Sequence, residues 1–494
     1  MFPAVGARKS TPMDISSSAG ITALVRRKEV NRRLLQLVER GWMPLFSKVL
    51  VANRGEIAVR IIRACRELGV QSVAIVSEAD RDCLHAYLAD ETVCVGGPSA
   101  GDSYLNIQNI ISAALMKGCD AIHPGFGFLS ENAEFAEICD QCGLTFIGPG
   151  ADSIRLLGDK ARAKDTMKAC GVPTIPGSDG ELTDLDKARE LASEIGYPVL
   201  IKAAAGGGGR GIRVVEKEED LEDAFTAATA EAVACFGYGG VYLEKLLRGI
   251  RHIEFQIFAD RFGHVVYLGE RDCSLQRRRQ KVLEEAPSPV MTAELRARMG
   301  EAAVKAAKAV GYHNTGTVEF LLDPDGNFYF MEMNTRIQVE HPVTEMVTSL
   351  DLVKEQIQVA SGQALSFTQE DVIIRGHSIE CRINAENPEQ NFRPDSGTVD
   401  VLFIPGGNGV RFDSQLYQGY DLPCYYDSMI GKLIVWGRDR TEAIARMKSA
   451  LSELIVNGID TNVSFQKSII NSEFFGQGRY DTGTIERMLK GEEK

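Results

Sequence analysis

The chain has no apolar run near the about 20 residues that a membrane helix needs, so a spanning segment of that kind is excluded. It has no G-x-x-x-x-G-K-[ST] string, which removes the P-loop from consideration. A basic excess is also missing: 55 Lys and Arg stand against 68 Asp and Glu, a net charge of -13. That balance argues against a nucleic-acid binder working by bulk electrostatics. There is no sign of a disulfide framework. The 11 cysteines are scattered singly apart from Cys139 and Cys142, an odd total that suits reduced intracellular thiols, and no second pair stands at zinc spacing.

What is present is ordinary globular composition, 44% hydrophobic and 25% charged, over 494 residues, enough for two or three packed domains. The first 42 residues differ, with eight Lys or Arg against three acids and Ser16, Ser17 and Ser18 in a row. This tail, 1–44, reads as a transit peptide or as a start codon placed upstream of one near Met43.

From Lys48 a buried-type strand, Val49-Leu50-Val51-Ala52, runs into Asn53-Arg54-Gly55 and then a helical pattern of Ile57, Ile61, Ala64, Cys65 and Leu68. Strand and helix alternate through Val73–Val76, Ala121-Ile122 and Phe146-Ile147. The pattern predicts an open parallel α/β domain over 45–157. A second region, 158–375, contains the strand Pro198–Lys202, a glycine run over 206–209, and the β-branched Ile212-Arg213-Val214-Val215. Strand, glycine loop, strand is unlike dinucleotide folds, whose glycines precede a helix. Such a loop is either a flexible hairpin or a lid whose bare backbone N–H groups close over a polyphosphate, and a mobile lid is expected over about 172–246. The last region, 376–494, alternates short strands with turns and reads as a smaller α+β domain. The fold class is thus α/β and α+β.

The sharpest local signal is the hairpin of Thr317–Leu322 and Phe328–Asn334 around Asp325-Gly326. With a four-residue loop, Pro324 to Asn327, Asp323 pairs with Phe328 and Glu319 falls opposite Glu332. Facing carboxylates are destabilising unless a hard cation sits between them. Period two adds Asn334 to the same face, and the following segment brings Arg336 and Glu340 nearby. His252-Ile253-Glu254-Phe255-Gln256-Ile257 is polar on one face, lining a nucleotide pocket or facing water. Gln276-Arg277-Arg278-Arg279-Gln280-Lys281 is a phosphate or carboxylate clamp or a solvated basic loop. With Lys160 and Lys202 it supplies the cations a triphosphate reaction needs.

These residues resemble the biotin carboxylases of the ATP-grasp superfamily, the component that carboxylates biotin in acetyl-CoA carboxylase, from Lys48 to about Lys490. The matching strings are Val51-Ala52-Asn53-Arg54-Gly55-Glu56-Ile57-Ala58, His123-Pro124-Gly125, Phe128-Leu129-Ser130-Glu131-Asn132, the run from Glu332 to Pro342, and Glu380-Cys381-Arg382-Ile383-Asn384-Ala385-Glu386. The resemblance implies an ATP-grasp central domain and ATP contacts at Lys160, Lys202, Gly208, Gly209, Glu244, Lys245, Leu247, His252, Gln276 and Arg279. It implies magnesium or manganese at Glu319, Glu332 and Asn334, and bicarbonate at Lys281, Arg336, Gln338 and Val339. Glu340 falls at the general base and Arg382 at the biotin ureido group. It further implies a separate biotin carboxyl carrier protein, since no Ala-Met-Lys-Met site occurs here, together with carboxyltransferase subunits and a homodimer. No nucleic acid or membrane partner is expected, and the location is cytoplasmic, or the plastid stroma if the tail is a transit peptide. Three positions depart from the family pattern: Phe126 replaces a Tyr, Arg279 a His, and Ala205 a glycine of the loop. A non-catalytic nucleotide-binding scaffold would have no need of the charges at Glu319, Glu332, Arg336 and Glu340. A carbamoyl-phosphate synthase-like ligase would lack the string around Arg382.

Overall fold

The computed structural model describes residues 45–203, 212–236 and 240–493. The tail expected over 1–44 and the loop residues Ala205, Gly208 and Gly209 lie outside the described residues. Strands β1 (Lys48–Val51), β2 (Gln71–Ser77), β3 (Glu91–Gly96), β4 (Ala121–His123) and β5 (Thr145–Phe146) form a parallel sheet in the order β3-β2-β1-β4-β5. In β1, Val49 and Val51 pack into one apolar cluster and Leu50 into another, one on each face, as a doubly covered parallel strand requires. The strand order reverses at β1 and β4, and their C-terminal ends open a crevice there. Gly55, with φ of +68°, turns β1 into the helix Gly55–Glu67 at that point. Asn53 closes the turn by donating to the carbonyls of Pro124 and Phe126, at 2.6 and 2.7 Å.

Next, β6 (Val199–Ala203), β7 (Ile212–Val215) and β8 (Val241–Lys245) make a small antiparallel sheet in the order β7-β6-β8. It has its own apolar cluster, including Val199, Ile201, Val215, Leu221, Phe225 and Leu243. The pairing of Lys202 with Ile212 brackets the glycine loop between two antiparallel strands.

The main sheet has eight strands. They are β9 (Arg251–Ala259), β10 (Val265–Arg277), β11 (Gln280–Ala286), β12 (Asn314–Leu322), β13 (Phe328–Asn334), β14 (His377–Asn384), β15 (Val410–Ser414) and β16 (Met429–Gly437), in the order β13-β12-β9-β10-β11-β14-β16-β15. Every neighbouring pair is antiparallel. The pairing of β11 with β14 makes one sheet out of the central region and the last region, so the boundary expected near 375 falls between strands of a shared sheet. Alternation sets the two faces. In β9, Ile253, Phe255 and Ile257 enter an apolar cluster while His252, Glu254 and Gln256 share the other face. All nine β9 residues are buried, so the water-facing reading of this strand does not hold.

The hairpin reaches its expected pairing by an unexpected route. Leu322 pairs with Phe328, and the Asp323 amide donates to the Asn327 carbonyl at 2.9 Å, so the connection is one residue longer than expected and Asp323 does not pair with Phe328. An irregularity between Phe320 and Glu319 then takes up Met331 as an extra residue. The two offsets cancel, and Glu319 faces Glu332.

Candidate active site

The polar face of the main sheet carries a row of charge. Glu332, Glu319, Glu254 and Arg271 are successive cross-strand partners over β13, β12, β9 and β10. Three carboxylates side by side need counter-charges. Arg271, fully buried, binds Glu254 through Nε, and it also donates to Gln256, Thr317, Thr344 and Gln338. Lys281 on β11 reaches across and donates to Glu254, Glu319 and Glu340 at 2.6, 3.0 and 2.6 Å. Burial alone would lower the Lys281 ammonium, but the three carboxylates hold it well above its usual value.

Glu319 is the hub of the hairpin. It accepts hydrogen bonds from Asn334 Nδ2 at 2.8 Å and Gln338 Nε2 at 2.7 Å, and its second oxygen lies 2.8 Å from His252 Nε2. Burial pushes its carboxyl up, yet the Lys281 charge and His252 outweigh that and keep it well below the ordinary range. Glu332 is more open and pairs with Lys160 at 2.9 Å. Asn334 accepts from Arg336 through its oxygen at 3.1 Å, and Arg336 Nε is anchored at 2.8 Å by Glu131 from the first domain. Gln276 joins His252 at 2.8 Å through the other ring nitrogen.

Beyond Asn334 the chain leaves the sheet, and Glu340 begins the helix His341–Thr348. Glu340 is buried between two cations, Lys281 at 2.6 Å and Arg382 Nη2 at 2.9 Å. Burial raises its carboxyl, but Lys281, Arg382 and Arg271 hold it well below the usual range, so it is ionised. Arg382 on β14 donates from Nε to Glu284 at 2.6 Å as well, so one guanidinium joins two carboxylates.

These groups line a cleft of about 980 Å³ that contains Lys160, Lys202, His252, Gln276, Arg279, Lys281, Glu319, Glu332, Asn334, Arg336, Gln338, Val339, Glu340 and Arg382. A second cleft of about 560 Å³ opens at the β1 and β4 crevice, bordered by Arg54, Gly55, Phe126 and Gly127, and it shares Arg336, Val339 and Arg382 with the first. The donor set fits a hard divalent cation, with oxygens from Glu319, Glu332 and Asn334 in a cleft rich in phosphate-binding cations. Asn334 presents its amide nitrogen to Glu319, so its oxygen would have to turn toward a shared ion.

The family model described as "Biotin carboxylase, N-terminal domain" matches residues 45–154, "Carbamoyl-phosphate synthase L chain, ATP binding domain" matches 159–368, and "Biotin carboxylase C-terminal domain" matches 380–487. The chain is 57% identical to the biotin carboxylase of Nostoc sp. over 445 residues, 90% of this chain and 100% of that one. The chain belongs to the biotin carboxylases. It is an ATP-dependent carboxylating enzyme, a ligase. It is also 55% identical to a pyruvate carboxylase subunit from Methanothermobacter thermautotrophicus, over 90% of this chain and 91% of that one. The biotin carboxylase domain dimer of the Hydrogenobacter thermophilus 2-oxoglutarate carboxylase, solved with MgADP and bicarbonate, superposes with a TM-score of 0.81 at 50% identity, over 91% of this chain and 99% of that one.

Among the site residues expected from the sequence of this biotin carboxylase, Glu244, Lys245 and Leu247 do not line the main cleft; they stand at the end of β8. Glu244 is tied to Lys202 and lies 3.5 Å from Lys164, while Lys245 donates to the carbonyls of Gly196 and Tyr197 at 2.8 and 3.2 Å. Arg279, in a left-handed backbone conformation, has no ion pair or hydrogen bond among the described residues and is exposed at the cleft. Four residues were not singled out by sequence: Glu284, Arg271, Lys432 and, as a partner of Arg336, Glu131. The alternation in β9 pointed at Glu254, and the string Phe128–Asn132 contained Glu131, but their partners come from distant strands. Among the described residues no helix is long and apolar enough to cross a membrane.

Proposed function

We propose that this chain uses ATP and bicarbonate to carboxylate biotin on a separate carrier protein, the first half-reaction of an acetyl-CoA carboxylase in fatty acid synthesis. The observation that carries this reading is Glu340, an ionised buried carboxylate between Lys281 and Arg382 in a cleft that Arg336 also lines. Bicarbonate entering among these cations shares them with Glu340, which frees one carboxylate oxygen to take the bicarbonate proton. The deprotonated anion attacks the γ-phosphate of ATP, giving carboxyphosphate and ADP. Lys160 and Lys202 neutralise the phosphates, and His252, Gln276, Arg279, Glu244, Lys245 and Leu247 hold the nucleoside, with Gly208 and Gly209 in the closing loop. Glu319, Glu332 and Asn334 would hold magnesium or manganese, which supplies charge neutralisation at the transferred phosphoryl group. Carboxyphosphate releases CO2, and the remaining phosphate takes the proton from biotin N1. Arg382, facing both clefts, stabilises the oxygen of the deprotonated ureido group as CO2 is captured.

The domain limits 45–157, 158–375 with a lid at about 172–246, and 376–494 go with this reading. So do a homodimer, supported by the Hydrogenobacter dimer, and association with carboxyltransferase subunits in the cytoplasm or plastid stroma. The test is bicarbonate-dependent ATP hydrolysis stimulated by free biotin. Hydrolysis indifferent to both would overturn the reading. A second reading, a biotin carboxylase component serving pyruvate, propionyl-CoA or another acceptor, is favoured by the similarity to the Methanothermobacter pyruvate carboxylase subunit. Purifying the native complex and assaying carboxyl transfer to acetyl-CoA, propionyl-CoA and pyruvate separates the two.

A further inference from the structure

We propose that Lys432 is a positioning residue that fixes the Val339 peptide for bicarbonate activation, an inference that rests on the biotin carboxylase reading above. On β16 its register partners are Arg382 on β14 and Asp413 on β15, so the three side chains share the polar face of the sheet. Lys432 is fully buried. An ammonium out of water persists only with compensation: Nζ donates to the Val339 carbonyl at 2.7 Å and lies 3.0 Å from Glu56 Oε1, and the Glu380 and Asp413 carboxylates add their charge to it. Glu56 belongs to the helix Gly55–Glu67 of the first domain, and among the described residues neither of its oxygens has a hydrogen bond. The Lys432 charge is therefore its counter-ion.

A buried pair serving the fold alone is replaceable by packed apolar side chains. This one spends its hydrogen bond on the carbonyl between Gln338 and Glu340. Gln338 bridges Glu319 and Arg271, and Glu340 bridges Lys281 and Arg382. Because the peptide is planar, holding the Val339 carbonyl sets the plane from which Glu340 departs. Glu131 holds the other end of the loop through Thr335 and Arg336, at 3.1 and 2.8 Å. The loop is thus pinned at both ends from the first domain, once directly and once through Lys432.

The test is steady-state kinetics on full-length Lys432→Met and on Glu56→Gln with Lys432→Met, which removes both charges. The KM for bicarbonate should rise about tenfold or more in both, as expected when a reacting group is misplaced, while the KM for ATP and the melting temperature of the double variant stay near wild type. A folded double variant with the wild-type bicarbonate KM overturns the proposal. A parallel rise in both KM values also overturns it, since that marks general loosening. Where neither variant folds, Glu56→Gln alone decides: a raised bicarbonate KM supports the proposal, and an unchanged one overturns it. A wild-type enzyme without bicarbonate-dependent ATPase activity overturns this proposal and the functional reading together.

Discussion

Glu284 and Glu285 are adjacent on β11, both are fully buried, and they occupy opposite faces of the same sheet. On one face Glu285 is saturated: His377 lies 2.5 Å away, Arg440 donates from Nε and Nη2 at 2.7 and 3.0 Å, and the Tyr480 hydroxyl donates to it. On the other, Glu284 accepts from Arg382 alone, and its second oxygen has no partner among the described residues. Burial raises both carboxyls. Its partners nonetheless bring Glu285 down to about 2, whereas burial prevails over Arg382 and takes Glu284 up to about 7. The difference separates two uses of buried charge: a closed network that holds β11 against the last helices, and an open one that leaves hydrogen-bonding capacity beside the cleft.

Removing Glu340 breaks the open network at its centre and carries the largest expected effect. Glu340→Gln keeps the shape but cannot take the bicarbonate proton, so bicarbonate-dependent ATPase and biotin carboxylation should both fall about 10² to 10⁴-fold, the worth of a general base. Rates within a fewfold of wild type would remove Glu340 from the base position.

The closed network should respond in stability instead. Glu285→Gln strips the counter-charge from Arg440 and should cost about 3–5 kcal/mol, the usual cost of breaking a buried pair from one side. The sign follows from a carboxyl depressed by folding: its contribution is complete above the unfolded value near about 4.3 and is lost as pH falls toward about 2. Urea melts should therefore show the wild type ahead at pH 7 and the gap closing in acid. A pH-independent gap would mean that Glu285 acts through packing.

Arg382→Ala joins the two chemical steps more closely than the sequence suggested. Read from separate strings, Arg382 faces biotin and Glu340 faces bicarbonate, so the sequence alone predicts that the variant loses biotin carboxylation while keeping much of its bicarbonate-dependent ATPase. They are an ion pair at 2.9 Å, so the loss also releases Glu340 and strands Glu284. Carboxylation should fall about 10² to 10³-fold, and the bicarbonate-dependent ATPase should fall too, by less. An untouched ATPase would show that Lys281 alone holds Glu340.

Legibility followed range in sequence. The Glu319 and Glu332 pair could be read because a hairpin is local, although the reading worked only because a longer turn and the bulge at Met331 cancelled. The one-sided polarity of β9 was visible, but not that a half-buried cation, Lys281, would sit against it from 27 residues away. Glu284 and Glu285 look alike in the chain. Their roles are set by Arg382 and Arg440, which lie 98 and 155 residues further on. The Lys432 tie needed the first domain and the last strands to meet on one loop, which no local pattern encodes. The long matching strings supplied residue roles that periodicity could not, and they passed over Glu284 because nothing in those strings names it.

The smallest expected effect sharpens the comparison most. Glu284→Gln replaces the titrating member of the open network with a neutral isostere, leaving Arg382 its pair with Glu340. A carboxyl raised by folding contributes fully below its unfolded value, and that contribution is lost as pH rises toward about 7. Wild type and variant should therefore differ little below about pH 4.5, the variant should gain on the wild type between there and about pH 7, and the gap should level off above that. This is the opposite trend from Glu285→Gln. The kinetics follow the same group: below its titration Glu284 is neutral and Arg382 has its full positive field for the ureido oxygen, whereas above it the guanidinium is shared between two anions. Biotin carboxylation by the wild type should show a step near neutral pH that the variant lacks, while the ATP KM of both stays flat. Parallel pH profiles for the two enzymes would place Glu284 with Glu285, as a second closed charge, and leave the asymmetry of the two faces without a functional consequence.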